Sequence, residues 1–518
     1  MNKYSKYYPT IEQNKKIFEQ LLIAIKDPLR SFDEKLDIAN NALSYVSHRG
    51  TGYFYSIELE KFFVNLAQQY DIKSYDIEPY KNSFLHVMTE CYMTGGHTRI
   101  VERWINQADS TQKHSVILLN HEGEIPHLLQ KNIKDKNGEL IILDKKKSQI
   151  ERALELRELG MHYEHIILHT HMYDPIATIA FGTEKFTRPV ILFNHADHMF
   201  WIGKSIADKV ADIRDKTSIS KTKRNIKNPF HLGLLADDIQ NTITKDEARK
   251  ILGIPEDKQV ILTIGGAPKY YPIMGDNIEP ILKRILDENL NAVIYAIGPK
   301  KSKLFWKKLE QQYQNRLIIT GELDYENEYL KYLAAADLVV DSYPMCGFTV
   351  AIDVVAHNIP FLTLGTNTIG QLDFVSKTEA FCNSIDDLST KAKQILNEKT
   401  YADKILDEEK ELFKDECTKE AWQKRLEALL KETPKIHKAN NLENETEPTM
   451  PDDLSVLIDF VYKKHFSYFK FDKDGVCYKR QGLSPIFEIF TYKKGNQKLK
   501  KICIFKIPVF KYSKIIRG

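Results

Sequence analysis

DLVVDSYPMCGFTVAIDVVAHNIPFLTL, residues Asp337 to Leu364, reads as strand, glycine turn, helix and strand. Its apolar runs at 338–340 and 360–364 have the length and content of buried strands. Between them, Gly347 lets the backbone approach a ligand. Phe348 and Thr349 then open a helix whose free N–H groups and positive dipole end favour an anion. Asp353 lies one turn after Thr349, so both project from one edge, while Val350, Ala351, Val354 and Val355 form the stripe that faces the sheet. The pattern predicts a phosphate seat, with the Asp353 carboxylate placed to hold a ribose. One such turn also occurs in α/β proteins that bind nothing there, so the rest of the chain has to supply the context.

Working outward, the same alternation of strands and helices runs through most of the chain. Strands are expected at 84–91, 115–120, 140–143, 165–169 and 190–194, and again at 260–264, 292–297, 317–319, 338–340 and 361–364, with segments of helical length between them. This predicts an α/β protein with two tandem Rossmann-like domains, at 81–235 and 236–433, separated by a basic connector around SISKTKRNIKNPF. Residues 1–80 carry helical periodicity in three segments and are expected to form a helical cap. Residues 434–452, PKIHKANNLENETEPTMPD, are polar enough to read as a linker, and 453–518 as a small basic module. Two open parallel sheets in tandem collect ligands in the cleft beyond the carboxyl ends of their strands.

The strand ends carry suggestive chemistry. In TECYMTGGHTR, Gly95, Gly96 and His97 follow the first strand directly and lead into a helix from Thr98. His97 there is a candidate general base, or else a capping residue beside a tight glycine turn. LHTHMYDP and FNHADHMFWIG place His169, His171, Asp174, His195, Asp197 and His198 after two neighbouring strands. In the second domain, ILTIGGAPKYYP puts Gly265 and Gly266 where the backbone can lie near a ligand, and Lys269 as a point charge for a diphosphate or a plain surface lysine.

Composition sets the frame. The chain has 518 residues, 28% charged and 42% hydrophobic, with a net charge of +3 that gives no reason to expect nucleic acid. Its six cysteines, Cys91, Cys346, Cys382, Cys417, Cys477 and Cys503, include no CxxC pair, so neither a disulfide framework nor a zinc knuckle is indicated. The N-terminus MNKYSKYYPTIEQ lacks an apolar signal core and no run is long enough to span a bilayer, which predicts a cytoplasmic protein.

The run GGAPKYYP and the later NRLIITGELDYENEYLKYLAAADLVVDSYPMCGFTVAIDVVAHNIPFLTL together resemble the donor half of GT-B glycosyltransferases, especially the branch around the O-GlcNAc transferases. The resemblance covers about 120 residues well and the rest only in architecture. It implies that Lys269, Gly347 and Thr349 bind a nucleotide diphosphate and that Asp353 binds its ribose. It also implies an inverting transfer; the helix start at Gly347 to Thr349 and Lys269 would stabilise the leaving diphosphate, so no metal or other cofactor is expected. The chain departs from that branch at Phe348, where a histidine is usual, and at Val350, where a second threonine is usual. FNHADHMFWIG is also similar to a signature of bacterial surface-sugar transferases.

The expectation is therefore a transferase moving a sugar from a UDP-sugar to a hydroxyl of a glycan or lipid-linked glycan at the bacterial surface. His97 is the first candidate base and Asp197 and His198 are the next. Gly95, Gly96 and His195 would form the acceptor-side loop, and Gly265, Gly266, Lys269, Gly347, Phe348, Thr349 and Asp353 the donor site. Two rivals remain: a metal-dependent hydrolase built on the His/Asp clusters, and a nucleotide-sugar-binding protein without catalysis. From Thr491 onward there are nine basic residues and no acidic one, interleaved with Phe505, Phe510 and aliphatic residues. That mixture suits an anionic membrane surface, as a peripheral protein at the inner membrane; a solvated edge of a small β module is the alternative.

Overall fold

The computed structural model describes residues 4–70, 77–214, 218–239, 243–365, 375–439 and 452–462, residues 442, 445–447 and 449, and the backbone of five strands within 469–515. Two parallel sheets organise it. The first holds β1 (Tyr80–Met88), β2 (Lys113–Leu118), β3 (Leu140–Ile142), β4 (Tyr163–His169), β5 (Val190–Asn194), β6 (Lys209–Asp212) and β7 (Phe230–His231), in the order β3-β2-β1-β4-β5-β6-β7. The second holds β8 (Gln259–Ile264), β9 (Ala292–Ile297), β10 (Leu317–Gly321), β11 (Leu338–Val340), β12 (Phe361–Leu364) and β13 (Phe381–Cys382), in the order β10-β9-β8-β11-β12-β13. Both are doubly wound with the reversal of strand order that makes a ligand crevice, at β1/β4 in one and β8/β11 in the other. The expected α/β class with two Rossmann-like domains is what the chain adopts. Three strands escaped sequence reading, β6, β7 and β13, because runs of two to four residues are too short to show a period.

Side-chain alternation along β1 decides how the first sheet is covered. Leu85 and Val87 pack with Phe18, Leu21, Leu43 and Phe63 from the three N-terminal helices Tyr8–Lys26, Phe32–His48 and Ile57–Gln69. The opposite face, with Phe84, takes Trp104 of the helix Gly96–Gln107. The N-terminal helices are thus a layer of the first domain that shares its core, rather than a body of their own. Phe32–His48 starts on a reciprocal cap, Ser31 accepting from the Glu34 amide while Glu34 returns to the Ser31 amide.

The domains are also joined covalently and by packing. The helix Lys419–Glu432 follows the second sheet but returns to the first domain, where Trp422 meets Trp104 edge-on at 5.0 Å and Gln423 donates to the Gln107 carbonyl at 3.2 Å. Residues 434–452, expected as a linker, lie against the first domain wherever they are described. His437 bonds Asp208 and the Phe181 carbonyl at 2.8 and 2.9 Å, and Leu442 packs with Tyr55 and Ile57. The helix Asp453–Tyr462 then docks on the N-terminal helices through Tyr8–Asp453, Asn14–Asp459 and Arg49–Asp459 contacts of 2.8, 2.9 and 2.6 Å. The described residues of this stretch find specific partners on a surface far away in sequence.

The remainder is a five-stranded antiparallel sheet in sequential order, β14 (Phe469–Phe471), β15 (Cys477–Gln481), β16 (Phe487–Lys494), β17 (Gln497–Ile504) and β18 (Ile507–Ile515). The small module was expected from 453, but the sheet begins at Phe469; Phe505, Lys506 and Arg517 of the basic stretch lie outside the described residues. Among the described residues no helix is long and apolar enough to cross a membrane.

Candidate active site in the interdomain cleft

The carboxyl ends of the strands at both switch points open into one cavity of about 430 Å³. From the first domain it is lined by Gly95, Gly96 and His97 after β1 and His195 after β5. From the second it is lined by Gly265, Gly266 and Lys269 after β8 and by Phe348, Thr349 and Asp353 after β11. Two helices, Gly96–Gln107 and Phe348–Ala356, begin there and touch. A Cβ on Gly96 would lie 2.8 Å from the Thr349 side chain, so glycine sets how closely the two helix starts approach. The preceding Gly95 has φ +105°, a turn that side-chain-bearing residues avoid.

In the helix Phe348–Ala356 the first intrahelical bond runs from the Ala351 amide to the Gly347 carbonyl at 3.2 Å. The amides of Phe348, Thr349 and Val350 therefore have no acceptor inside the helix. Gly347 itself differs from expectation. It does not line the cavity; its amide donates to Asp341 Oδ1 at 2.7 Å, and a Cβ would crowd that oxygen at 3.2 Å. Lys269 donates from Nζ to the Cys346 carbonyl at 2.6 Å, which ties the loop after β8 to the loop before the helix. Burial lowers the Lys269 amine, with Asp341 acting against that shift. An ammonium has three donors, so two N–H groups remain for an anion at the helix start.

His97 is held by a contact that also fixes its tautomer. Its Nε2 lies 2.7 Å from the His169 carbonyl oxygen, which can only accept, so Nε2 carries the proton. Nδ1 is buried with no hydrogen-bond partner among the described residues. Burial lowers the pKa, partly offset by the His169 carbonyl and Glu90. The result is a neutral imidazole with a free lone pair, and its ring is 4.5 Å from that of His195. His195 is likewise pushed well below the usual histidine range by burial and by His97.

Asp353 lines the cavity but is not free. It accepts from Arg103 Nη2, which also donates to Asp237 Oδ2 at 2.9 Å. Asp237 is held further by both Arg99 contacts at 2.8 Å and by the Tyr325 hydroxyl at 2.6 Å, and the Arg99 guanidinium lies 3.8 Å over the Tyr325 ring. Burial raises the Asp353 carboxyl, against the pull of Arg103. Sequence reading missed this group. Arg99 and Arg103 are four residues apart on one helix face right after the glycine turn, a readable signal, whereas Asp237 and Tyr325 come from segments that only the fold brings there.

The second-choice bases are elsewhere. Asp197 and His198 are not in the cavity. Asp197 accepts from Arg214 at 2.7 Å; burial opposes ionisation, yet Arg214 and His198 hold its carboxyl down at about 2. His198 Nε2 is 3.0 Å from the hydroxyl of Tyr462, so it fastens the helix Asp453–Tyr462 to the first domain. His169 belongs to a buried row, with His114 to His86 at 3.0 Å and His86 to His169 at 3.1 Å and Trp104 against the rings, while His171 Nε2 lies 3.0 Å from the Tyr92 hydroxyl and Asp174 accepts from Thr89 at 2.7 Å. Among the described residues no group of three His, Cys, Asp or Glu side chains is placed to hold a metal ion.

No protein-family model and no curated protein matches the chain. Among solved structures it resembles a glycosyltransferase of Rickettsia africae, 13% identical over 71% of this chain and 100% of that one, with a TM-score of 0.48. It also resembles the HepE protein of Anabaena in complex with UDP-glucose, 12% identical over 67% and 99% with a TM-score of 0.49. A mutant O-GlcNAc transferase of Thermobaculum terrenum is 10% identical over 81% of each chain, with a TM-score of 0.47. Likeness this distant leaves activity to be argued from the cleft itself.

Proposed function

We propose that the chain is a nucleotide-sugar-dependent glycosyltransferase of the GT-B kind, with a UDP-sugar as donor and a hydroxyl of a bacterial surface glycan as acceptor. One observation carries the reading: an imidazole from one Rossmann-like domain and an open helix start with a lysine from the other face a single cavity. The donor diphosphate sits at the amides of Phe348, Thr349 and Val350, with the Thr349 hydroxyl and Lys269 beside it. The ribose takes Asp353.

His97 Nδ1 then removes the acceptor proton as the acceptor oxygen bonds to the anomeric carbon. The bond from that carbon to the diphosphate breaks, and the electron pair leaves with the diphosphate. The charge that develops there is stabilised by the helix amides and the Lys269 ammonium, groups fixed before reaction begins, so turnover does not depend on a divalent ion. A single displacement inverts the anomeric centre. Closure of the domains excludes water and limits donor hydrolysis. The basic tail would hold the protein at the cytoplasmic face of an anionic membrane, close to lipid-linked acceptors.

The test is a panel of nucleotide sugars scored by thermal shift, followed by a single-turnover assay with the best binder. Stabilisation by UDP-sugars and transfer of the sugar are expected. Binding without transfer to any glycan acceptor or to water would favour a non-catalytic binder. No binding of any nucleotide sugar would remove the reading.

A further inference from the structure

The first domain contributes a cation that the proposed reaction has not used. The Arg103 side chain is 1% exposed, and its ion pairs with Asp237 and Asp353 both pass through Nη2. Its Nε and Nη1 are buried and have no hydrogen-bond partner among the described residues. A guanidinium that leaves two donors unmatched in a buried site bears a desolvation cost that an oxyanion at the site would remove. Arg103 lines the cavity beside Thr349 and Asp353, as does Tyr329, whose buried hydroxyl is also without a partner among the described residues.

The two carboxylates are unequal. Asp237 keeps Arg99 and the Tyr325 hydroxyl if Arg103 moves away, whereas the only ion pair of Asp353 among the described residues is with Arg103. A ribose donating its hydroxyls to Asp353 therefore competes with Arg103 and no other cation. Thr349, at the open helix start, is four residues before Asp353, just over one turn or roughly 6 Å along the axis. An arginine side chain in a helix also leans toward its own N-terminus, which for Arg103 is the end at the cavity. The sweep from Asp353 to a phosphate at Thr349 is within its reach.

We infer that Arg103 is a donor-sensing binding residue: it occupies Asp353 in the free protein and, when the ribose takes that carboxylate, turns its unmatched N–H groups to the donor diphosphate. The inference rests on the proposed donor site and adds to it a cross-domain exchange. Free protein is latched between domains through Arg103 and Asp353, and bound protein through Arg103 and the diphosphate. Nucleoside alone has to break the latch without replacing it. Nucleoside diphosphate replaces it. The domain arrangement thus favours a donor that carries phosphate over a bare nucleoside.

The experiment measures UDP and uridine affinity by calorimetry on the full chain, for wild type, Arg103→Ala and Arg103→Lys. Arg103→Ala should weaken UDP by about 10- to 100-fold while uridine stays unchanged or binds more tightly. Arg103→Lys keeps the charge but loses the planar fork of directed N–H groups, so UDP should weaken by about 10-fold with uridine unchanged. A purely structural arginine would move both ligands together. Equal loss of UDP and uridine, unchanged UDP affinity in either folded variant, or failure of both variants to fold would each overturn the inference. Wild type that binds neither ligand would remove the donor site as well, so the two failures are distinct.

Discussion

His97 Nε2 donates to the His169 carbonyl oxygen at 2.7 Å, and this bond leaves the ring's free lone pair on Nδ1, a buried atom with no hydrogen-bond partner among the described residues. If His97 is the base, His97→Ala should lower turnover by about 10² to 10⁴ and leave donor affinity nearly unchanged. Burial holds its pKa below the ordinary histidine value of 6.5, so the neutral form should persist into mildly acidic solution and the acid limb of the rate profile should lie below pH 6.5. Steady-state kinetics across pH with a fixed donor checks both. Near-normal turnover of the variant would assign the proton to another group, His195 being the nearest imidazole in the cavity.

Asp353→Ala removes the proposed ribose acceptor and should weaken uridine and UDP by about 10- to 100-fold, the cost of one charge-assisted hydrogen bond. Arg103 keeps Asp237 in that variant, so the fold should persist. Unchanged affinity in a folded protein would refute the ribose assignment. In the same assay EDTA should leave turnover intact, because fixed amides and Lys269 carry the diphosphate charge; loss restored by a divalent ion would contradict that.

The buried histidine row makes the fold acid-sensitive. Burial pushes His86 and His169 far below the usual imidazole range and His114 to about 3, and neighbouring imidazoles add to the shift for His86 and His169. Their folded pKa values are depressed, so between them and about 6.5 the unfolded chain binds more protons. Stability is therefore full above pH 6.5 and falls as pH drops, by about 1.4 kcal/mol per pH unit for each group. Urea midpoints should fall steeply between pH 7 and pH 5, and His86→Asn should flatten that slope. A slope unchanged in the variant would show that other groups titrate.

For the tail, the place of the cut matters. The helix Asp453–Tyr462 buries Val456, Leu457 and Val461 against Tyr4 and Ile11, so ending the chain near residue 450 strips part of the folded body and should lower the melting temperature. Ending it after Tyr462 keeps that helix. That protein should melt as wild type and turn over a soluble acceptor, yet lose binding to anionic vesicles at low salt, since each basic residue near the surface contributes about 1 kcal/mol. Equal vesicle binding by both proteins, or binding indifferent to salt, would refute the membrane role.

Much of this protein was determined by sequence alone. Buried parallel strands are short apolar runs bounded by turns, so Val190–Asn194, Ala292–Ile297 and Phe361–Leu364 announce themselves, and the glycines after β1 and β8 mark the loops that line the cleft. Local spacing likewise fixes that Thr349 and Asp353 share a helix edge. What spacing cannot state is which partner a charged group finds. Asp353 meets Arg103 across 250 residues, His198 meets Tyr462 across 264, and His437 meets Asp208 across 229. Desolvation and pairing act through space, so the partners of Asp353, His198 and His437 were decided only once the chain had folded.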